Sequence, residues 1–255
     1  MVFYTDACNS CIPQASYIIF YTNEHCSEGV CYFFMEKGPK KAASVKSLTK
    51  LKLVNAYKKY LLHHGIKPAT VHALMSELGH REEEFYKYFS DFVAIDNYLW
   101  SQLMAKTIKT LHGEEIFSKY TAREKLLALY YTLIEVAKKD RSYFKLTFRP
   151  PERPAWIPDY LQGFKSQFDS EVKAIVEAGV HDDEIVSRPL IGKKYHEALW
   201  LQLLFVLRFW MKDTSSEFEN TDAAIEKSVN LAFELMGKGP LDLMLDFGKF
   251  LYHNR

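Results

Sequence analysis

Cysteine is missing from the chain beyond Cys31: all four, Cys8, Cys11, Cys26 and Cys31, fall in the first 34 of 255 residues. A disulfide framework for the body is thereby excluded. No apolar run approaches the roughly 20 residues of a membrane-spanning helix. Gly-rich phosphate loops, His-Glu-x-x-His and nucleophile-elbow patterns are all missing, so the chain reads as neither enzyme, metalloprotein nor cofactor carrier. An excess of one charge is lacking too. Lys and Arg number 33 against 32 Asp and Glu, which is not the strongly basic footprint of a nonspecific nucleic-acid binder. Strand-like alternation is scarce after residue 35, and helical patterns follow one another with short polar connections, which predicts an all-α protein.

Residues 1–34 contain no Lys or Arg, so the basic n-region of a secretory signal is not there. Cys8-x-x-Cys11 has a zinc-like spacing, but the pair Cys26 and Cys31 lacks the turn residues of a zinc site. The plainer reading is an atypical tail, or an over-extended reading frame ahead of an ordinary start at Met35. A chain beginning at Met35 is then expected to fold as well as the full one.

The informative stretch runs from Ala69 to Phe89. Val71, Leu74, Met75 and Leu78 are spaced i, i+3, i+4 and i+7, one apolar face of a helix. Gly79 follows where a left-handed cap is needed. A second short helix is predicted to carry Phe85 and Phe89 on one side. Upstream, Leu51, Val54, Tyr57 and Leu61 mark a helix ending at His64-Gly65, and a longer helix is predicted to begin near Asp91. Two short helices about a tight turn make a helix-turn-helix, whose second helix enters the DNA major groove. Residues 46–92 hold eight Lys/Arg and five Asp/Glu, so the local excess is basic. Lys37, Lys40, Lys41, Lys46 and Lys50 extend it as an arm able to meet phosphates. Against this, Glu82, Glu83 and Glu84 occupy the helix that would face an anionic duplex. They read either as a solvated first turn favoured by the helix dipole or as part of a DNA-reading surface.

The pattern Gly65, Thr70, Gly79 and Tyr86-Lys87-Tyr88-Phe89 resembles the TetR family of transcriptional regulators, over about residues 46–112. The resemblance implies a three-helix head at 46–92 and a connecting helix at 93–112. Behind them it implies a helical ligand-binding and dimerisation domain at 113–255. It further implies a cytoplasmic, ligand-responsive repressor that binds double-stranded DNA as a homodimer. The DNA-binding residues would be Lys46, Thr70, Arg81, Glu82, Tyr86 and Lys87. This chain has Glu84 where the family usually places a phosphate-touching Thr, Phe92 where it places a Lys, and Arg81 where a Ser is common. A head that has lost operator binding and acts through protein or small-molecule contacts is the alternative.

In the C-terminal region, Leu126, Leu129, Tyr130, Leu133, Ile134 and Ala137 predict a helix over 121–139. The run Arg149-Pro150-Pro151-Glu152-Arg153-Pro154 marks a connection, and a long helix is expected over about 156–179, stopped by Gly179. Ala198 to Met211 is apolar apart from Gln202 and Arg208, so this helix must be buried on all sides. With the next helix it suggests a four-helix dimer interface built from Leu199, Leu203, Val206, Trp210, Ile225, Val229 and Phe233. A last helix is expected near 240–251. Tyr130, Phe144, Trp156, Phe168, Tyr195, His196, Trp200 and Arg208 are candidates to line a pocket for a small hydrophobic or anionic ligand. An arginine in so apolar a helix calls for an anionic partner, from the ligand or from Glu197 or Glu234.

Overall fold

The computed structural model describes residues 47–149, 157–188 and 192–253. The tail of residues 1–34, the arm at Lys37, Lys40, Lys41 and Lys46, and residues 150–156 with Trp156 lie outside the described residues. Among the described residues there are nine α-helices and no strand, and no helix is long and apolar enough to cross a membrane.

Two helices and the start of a third build the head. The first, α1, spans Lys50–His64 and starts where the Thr49 hydroxyl accepts the Lys52 backbone N–H. Its buried residues are Leu53, Val54, Tyr57 and Leu61. Leu51, expected on that face, is 67% exposed, because Leu53 takes the buried place and Leu51 turns to solvent in the first turn. Helix α2 covers Val71–Glu77, and α3, Phe92–His112, is capped by the Asp91 carboxylate on the Ala94 N–H. Phe92 shows why a lysine is not needed at its position. Its ring stacks on Tyr57 at 5.2 Å and meets Phe85 edge-on at 5.7 Å, so it fills the head's own core.

The remaining helices are α4 (Ala122–Lys138), α5 (Arg141–Thr147), α6 (Gln162–His181), α7 (Tyr195–Lys212), α8 (Glu219–Met236) and α9 (Pro240–His253). A capping box, Thr121-x-x-Glu124, opens α4. All six apolar positions expected on α4 are buried. Helix α3 packs against α4 and α6, α6 against α7, and α8 against both α4 and α7. Trp100, Tyr130, Phe164, Phe168 and Trp200 fill the middle. Each such side chain contributes about 1.5–3 kcal/mol by leaving water.

Helix α6 departs from expectation at both ends. It starts at Gln162, after a 3-10 turn at Asp159–Leu161, and it runs through Gly179 to His181. Gly179 is a close-approach residue rather than a stop. A Cβ there would lie 2.8 Å from both the Ala122 Cβ and the Ile185 Cδ1. The missing side chain lets α6 touch the start of α4.

The α7–α8 turn is fixed by buried Asp213. Its carboxylate accepts the backbone N–H and hydroxyl of both Ser215 and Thr221. Burial would raise its pKa, but these donors outweigh burial and bring it to about 2. Arg141 donates to the carbonyls of Trp210 and Asp213 at 3.0 Å, closing the end of α7.

Candidate nucleic-acid interface

The head presents α2 and the segment after it. Thr70 precedes α2, and its hydroxyl accepts the Ala73 N–H at 3.1 Å. Leu74 and Met75 bury the inner face. At the other end Gly79 has φ 70°, a conformation that costs an L-residue about 1–2 kcal/mol. There the His80 N–H reaches the Met75 carbonyl and the Gly79 N–H that of Ser76, the paired bonds of a Schellman cap. The chain thus reverses within a few residues, as the sequence predicted.

The second helix of the motif is shorter than expected. Glu82–Glu84 is a 3-10 turn, extended by the Tyr88 and Phe89 N–H groups bonding to the Phe85 carbonyl. Its inner anchors are the two expected, Phe85 and Phe89, both buried. Arg81, Tyr86 and Lys87 face solvent.

The glutamates are largely engaged at home. Glu84 accepts the Arg81 backbone N–H at 3.3 Å and lies 3.3 Å from the His80 ring. The Arg81 N–H, then His80, holds the Glu84 carboxyl below its ordinary pKa. Glu82 accepts the Tyr86 hydroxyl at 2.8 Å and sits 3.6 Å from His72 on α2. That bond raises the Tyr86 pKa. Glu83 and Arg81 are both about four-fifths exposed and 3.8 Å apart, a weak surface pair.

A residue that sequence reasoning missed ties the head to the rest. Asp96 on α3 is 2% exposed. Its carboxylate accepts from Tyr57 of α1 at 3.1 Å, from Tyr143 of α5 at 2.6 Å and from Lys67 of the α1–α2 loop at 2.5 Å. Burial, then the Asp96 charge, pushes both tyrosine pKa values well above the ordinary phenol value. A second ion pair, Lys58 to Asp140, joins α1 to the start of α5. The signal for Asp96 was legible in part: an acid between Ile95 and Trp100 lies on the buried arc of its helix.

The aromatic set of the C-terminal domain is closed core, not an open pocket. Tyr130 is fully buried and donates to the Leu199 carbonyl at 3.1 Å. Phe168 lies against Tyr130 and Trp200, and Phe144 against Trp100. Tyr195 is buried and donates to the Val186 carbonyl, while His196 is half-buried. A groove of about 410 Å³ lies elsewhere, lined by His112, Phe117, Lys125 and Glu171 among others.

Arg208 is exposed, so it needs neither Glu197 nor Glu234. The arginine that does need a partner is Arg188, in the unpatterned α6–α7 connection, where no sequence signal marks it. It is 6% exposed and grips Asp242 of α9 with two bonds of 2.8 Å. It also donates to the Tyr195 hydroxyl and to the Met236 and Gly237 carbonyls. Among the described residues, no three His, Cys, Asp or Glu side chains are placed to hold a metal ion.

All seven residues expected at a dimer face, Leu199, Leu203, Val206, Trp210, Ile225, Val229 and Phe233, are buried in the subunit's own core. The correction is physical: the most apolar positions of α7 and α8 are taken by α6, by α4 and by each other. The outer arcs carry Leu201 and Phe205 on α7 and Leu231 and Leu235 on α8 instead.

Residues 125–251 match the model of the tetracycline repressor-like C-terminal domain. No curated protein matches the chain. Two solved structures have the same fold at TM-score 0.52. One, assigned to the TetR transcription regulators, is from Shewanella sp. PV-4; it is 11% identical and covers 73% of this chain and 97% of its own. The other is a protein of unknown function from Rhodococcus sp. RHA1, 15% identical, covering 79% of this chain and 100% of its own. With that C-terminal domain behind a helix-turn-helix head, the chain belongs to the TetR family of transcriptional regulators.

Proposed function

We propose that the chain is a cytoplasmic, non-catalytic repressor that binds double-stranded DNA as a homodimer and responds to a small ligand. Residues 46–92 serve as the DNA head, 93–112 as the connecting helix and 113–255 as the ligand and dimer domain. The observation that carries this reading is the surface of the head. Arg81, Tyr86 and Lys87 are open on one short segment, while Glu82 and Glu84 are occupied by Tyr86, His72, His80 and the Arg81 backbone. The carboxylates keep their negative charge, but their oxygens are turned toward partners within the head. Lys87 and Tyr86 meet phosphates, and Arg81 approaches bases with Glu82 beside it.

Ligand response draws support from two donors in the core. The Trp200 Nε1 and the Gln202 side-chain nitrogen are buried without a hydrogen-bond acceptor. The two lie two positions apart on α7 and so on different faces, and an acceptor atom on a hydrophobic or anionic ligand that reached either one by opening the closed core would satisfy it. Dimerisation draws support from the open Leu201, Phe205, Leu231 and Leu235.

One observation favours the second reading, in which the head has lost its operator. Tyr86 spends its hydroxyl on Glu82, and Glu83 stands exposed on the same turn. A gel shift with DNA flanking the chain's own gene, at low and physiological salt, separates the two. A specific complex supports repression. No complex at low salt leaves the helical homodimer acting through other contacts.

A further inference from the structure

The three consecutive glutamates of the head are not equivalent. Both oxygens of Glu82 are engaged, one by the Tyr86 hydroxyl at 2.8 Å and the other by His72 at 3.6 Å. Both oxygens of Glu84 are engaged as well, by the Arg81 backbone N–H and by the His80 ring. Glu83 differs. Its side chain is 80% exposed, and the Arg81 guanidinium stands 3.8 Å away, beyond hydrogen-bond length. Glu83 precedes the buried Phe85 by two positions, so it turns away from the head's core. Tyr86 and Lys87 follow it by three and four positions, the spacing that places side chains on one side of a helical turn. The carboxylate thus shares the open surface of Tyr86 and Lys87. It does so at the start of the second helix, where a helix-turn-helix brings side chains to base edges.

An open carboxylate in the major groove selects by what it rejects. Guanine and thymine present acceptors there, and adenine presents an acceptor beside its donor. Cytosine presents its N4 amino donor alone. Elsewhere on a duplex the carboxylate is one more negative charge against the phosphates, so it lowers affinity for wrong sequences. Arg81 supplies the complementary element, since a guanidinium takes guanine O6 and N7 with two bonds. The 3.8 Å between the two charged ends is close to the rise of one base step, about 3.4 Å. We propose that Glu83 and Arg81 read the operator together, Glu83 taking a cytosine and Arg81 a guanine of the adjacent base pair. The inference rests on the repressor reading and gives it a base preference. Glu82 then serves to hold Tyr86 rather than to read.

Selection of sites from a pool of random duplexes by the full chain, followed by fluorescence anisotropy on the selected duplex, tests it. The parent should enrich neighbouring cytosine and guanine, and changing that cytosine to thymine should weaken binding about tenfold. Glu83→Gln is the decisive variant, because glutamine pairs with adenine N6 and N7. It should move the preference at that one position from cytosine to adenine, again by about tenfold. Arg81→Ala should lose the guanine and keep the cytosine. Circular dichroism of each variant should match the parent, since both side chains lie in solvent. An unchanged preference in Glu83→Gln overturns the proposal. So does equal tightening on every duplex, which would make Glu83 a repulsive charge only. A parent chain that binds duplex without enriching any base overturns the readout and leaves a DNA-binding head. A parent chain that binds no duplex even at low salt overturns both.

Discussion

Replacing Asp96 by Asn should loosen the joint between the head and the C-terminal domain without changing its shape. The carboxylate accepts three hydrogen bonds, two from buried tyrosines and one from Lys67. Both tyrosines donate to Oδ1 and Lys67 to Oδ2, so an amide oxygen in the Oδ1 place keeps two bonds, weakened by loss of the charge, while the amide nitrogen faces the Lys67 ammonium, which loses its counter-charge. A hydrogen bond to a charged group contributes about 1.5–3 kcal/mol, and breaking a buried ion pair costs about 3–5 kcal/mol. Lys67 is partly exposed and can turn to water, which discounts the upper figure. We expect Asp96→Asn to cost about 3 kcal/mol, and Tyr143→Phe, which leaves the other two bonds in place, about 1.5 kcal/mol. At about 2–4 °C per kcal/mol for a chain of this size, the Asn variant should melt about 6–12 °C lower. Differential scanning calorimetry of both single variants and the double variant measures this. The double variant should cost less than the sum, because Asp96→Asn weakens the same charge-assisted bond that Tyr143→Phe removes. A loss under 1 kcal/mol for Asp96→Asn, or strict additivity, would refute the joint.

Gly179→Ala should destabilise by about 1–3 kcal/mol, since its Cβ would meet Ala122 and Ile185 at 2.8 Å, and urea titration reads this directly. Thr221→Val should cost about 1.5–3 kcal/mol by removing the hydroxyl from the Asp213 carboxylate. Because the folded pKa of Asp213, about 2, lies below that of an unfolded Asp, its contribution is full above about pH 4 and disappears as pH falls toward 2. The Thr221→Val penalty should therefore shrink in acid, and a penalty constant from pH 6 to pH 2.5 would contradict this.

Local signals carried far in this chain. Thr49, Asp91 and Thr121 cap their helices by rules that need only three residues of sequence. Gly79 was readable because its left-handed turn is local too. The periodicity of α4 gave its buried face residue by residue. Partners far apart in sequence were not legible. Asp96 meets Tyr57 39 positions away and Tyr143 47 positions away, and Arg188 meets Asp242 at 54. Composition alone misplaced the dimer face. It selected the most apolar residues of α7 and α8, and a subunit keeps those for itself. Arg208 was misjudged for a related reason, because a helix rich in leucine can still turn one stripe to solvent. The size of Phe92 predicts burial, but only Tyr57 and Phe85 explain its place.

The salt dependence of DNA binding, compared between the parent chain and Lys87→Ala, tests the central claim most directly. Binding to DNA flanking the chain's own gene should weaken linearly in log affinity against log salt, as phosphate contacts release counterions. Lys87→Ala should weaken binding to all sequences alike and lower the slope by about one unit. A parent chain that binds no DNA at low salt, or a Lys87→Ala slope equal to the parent's, would contradict a head that grips phosphates through this segment.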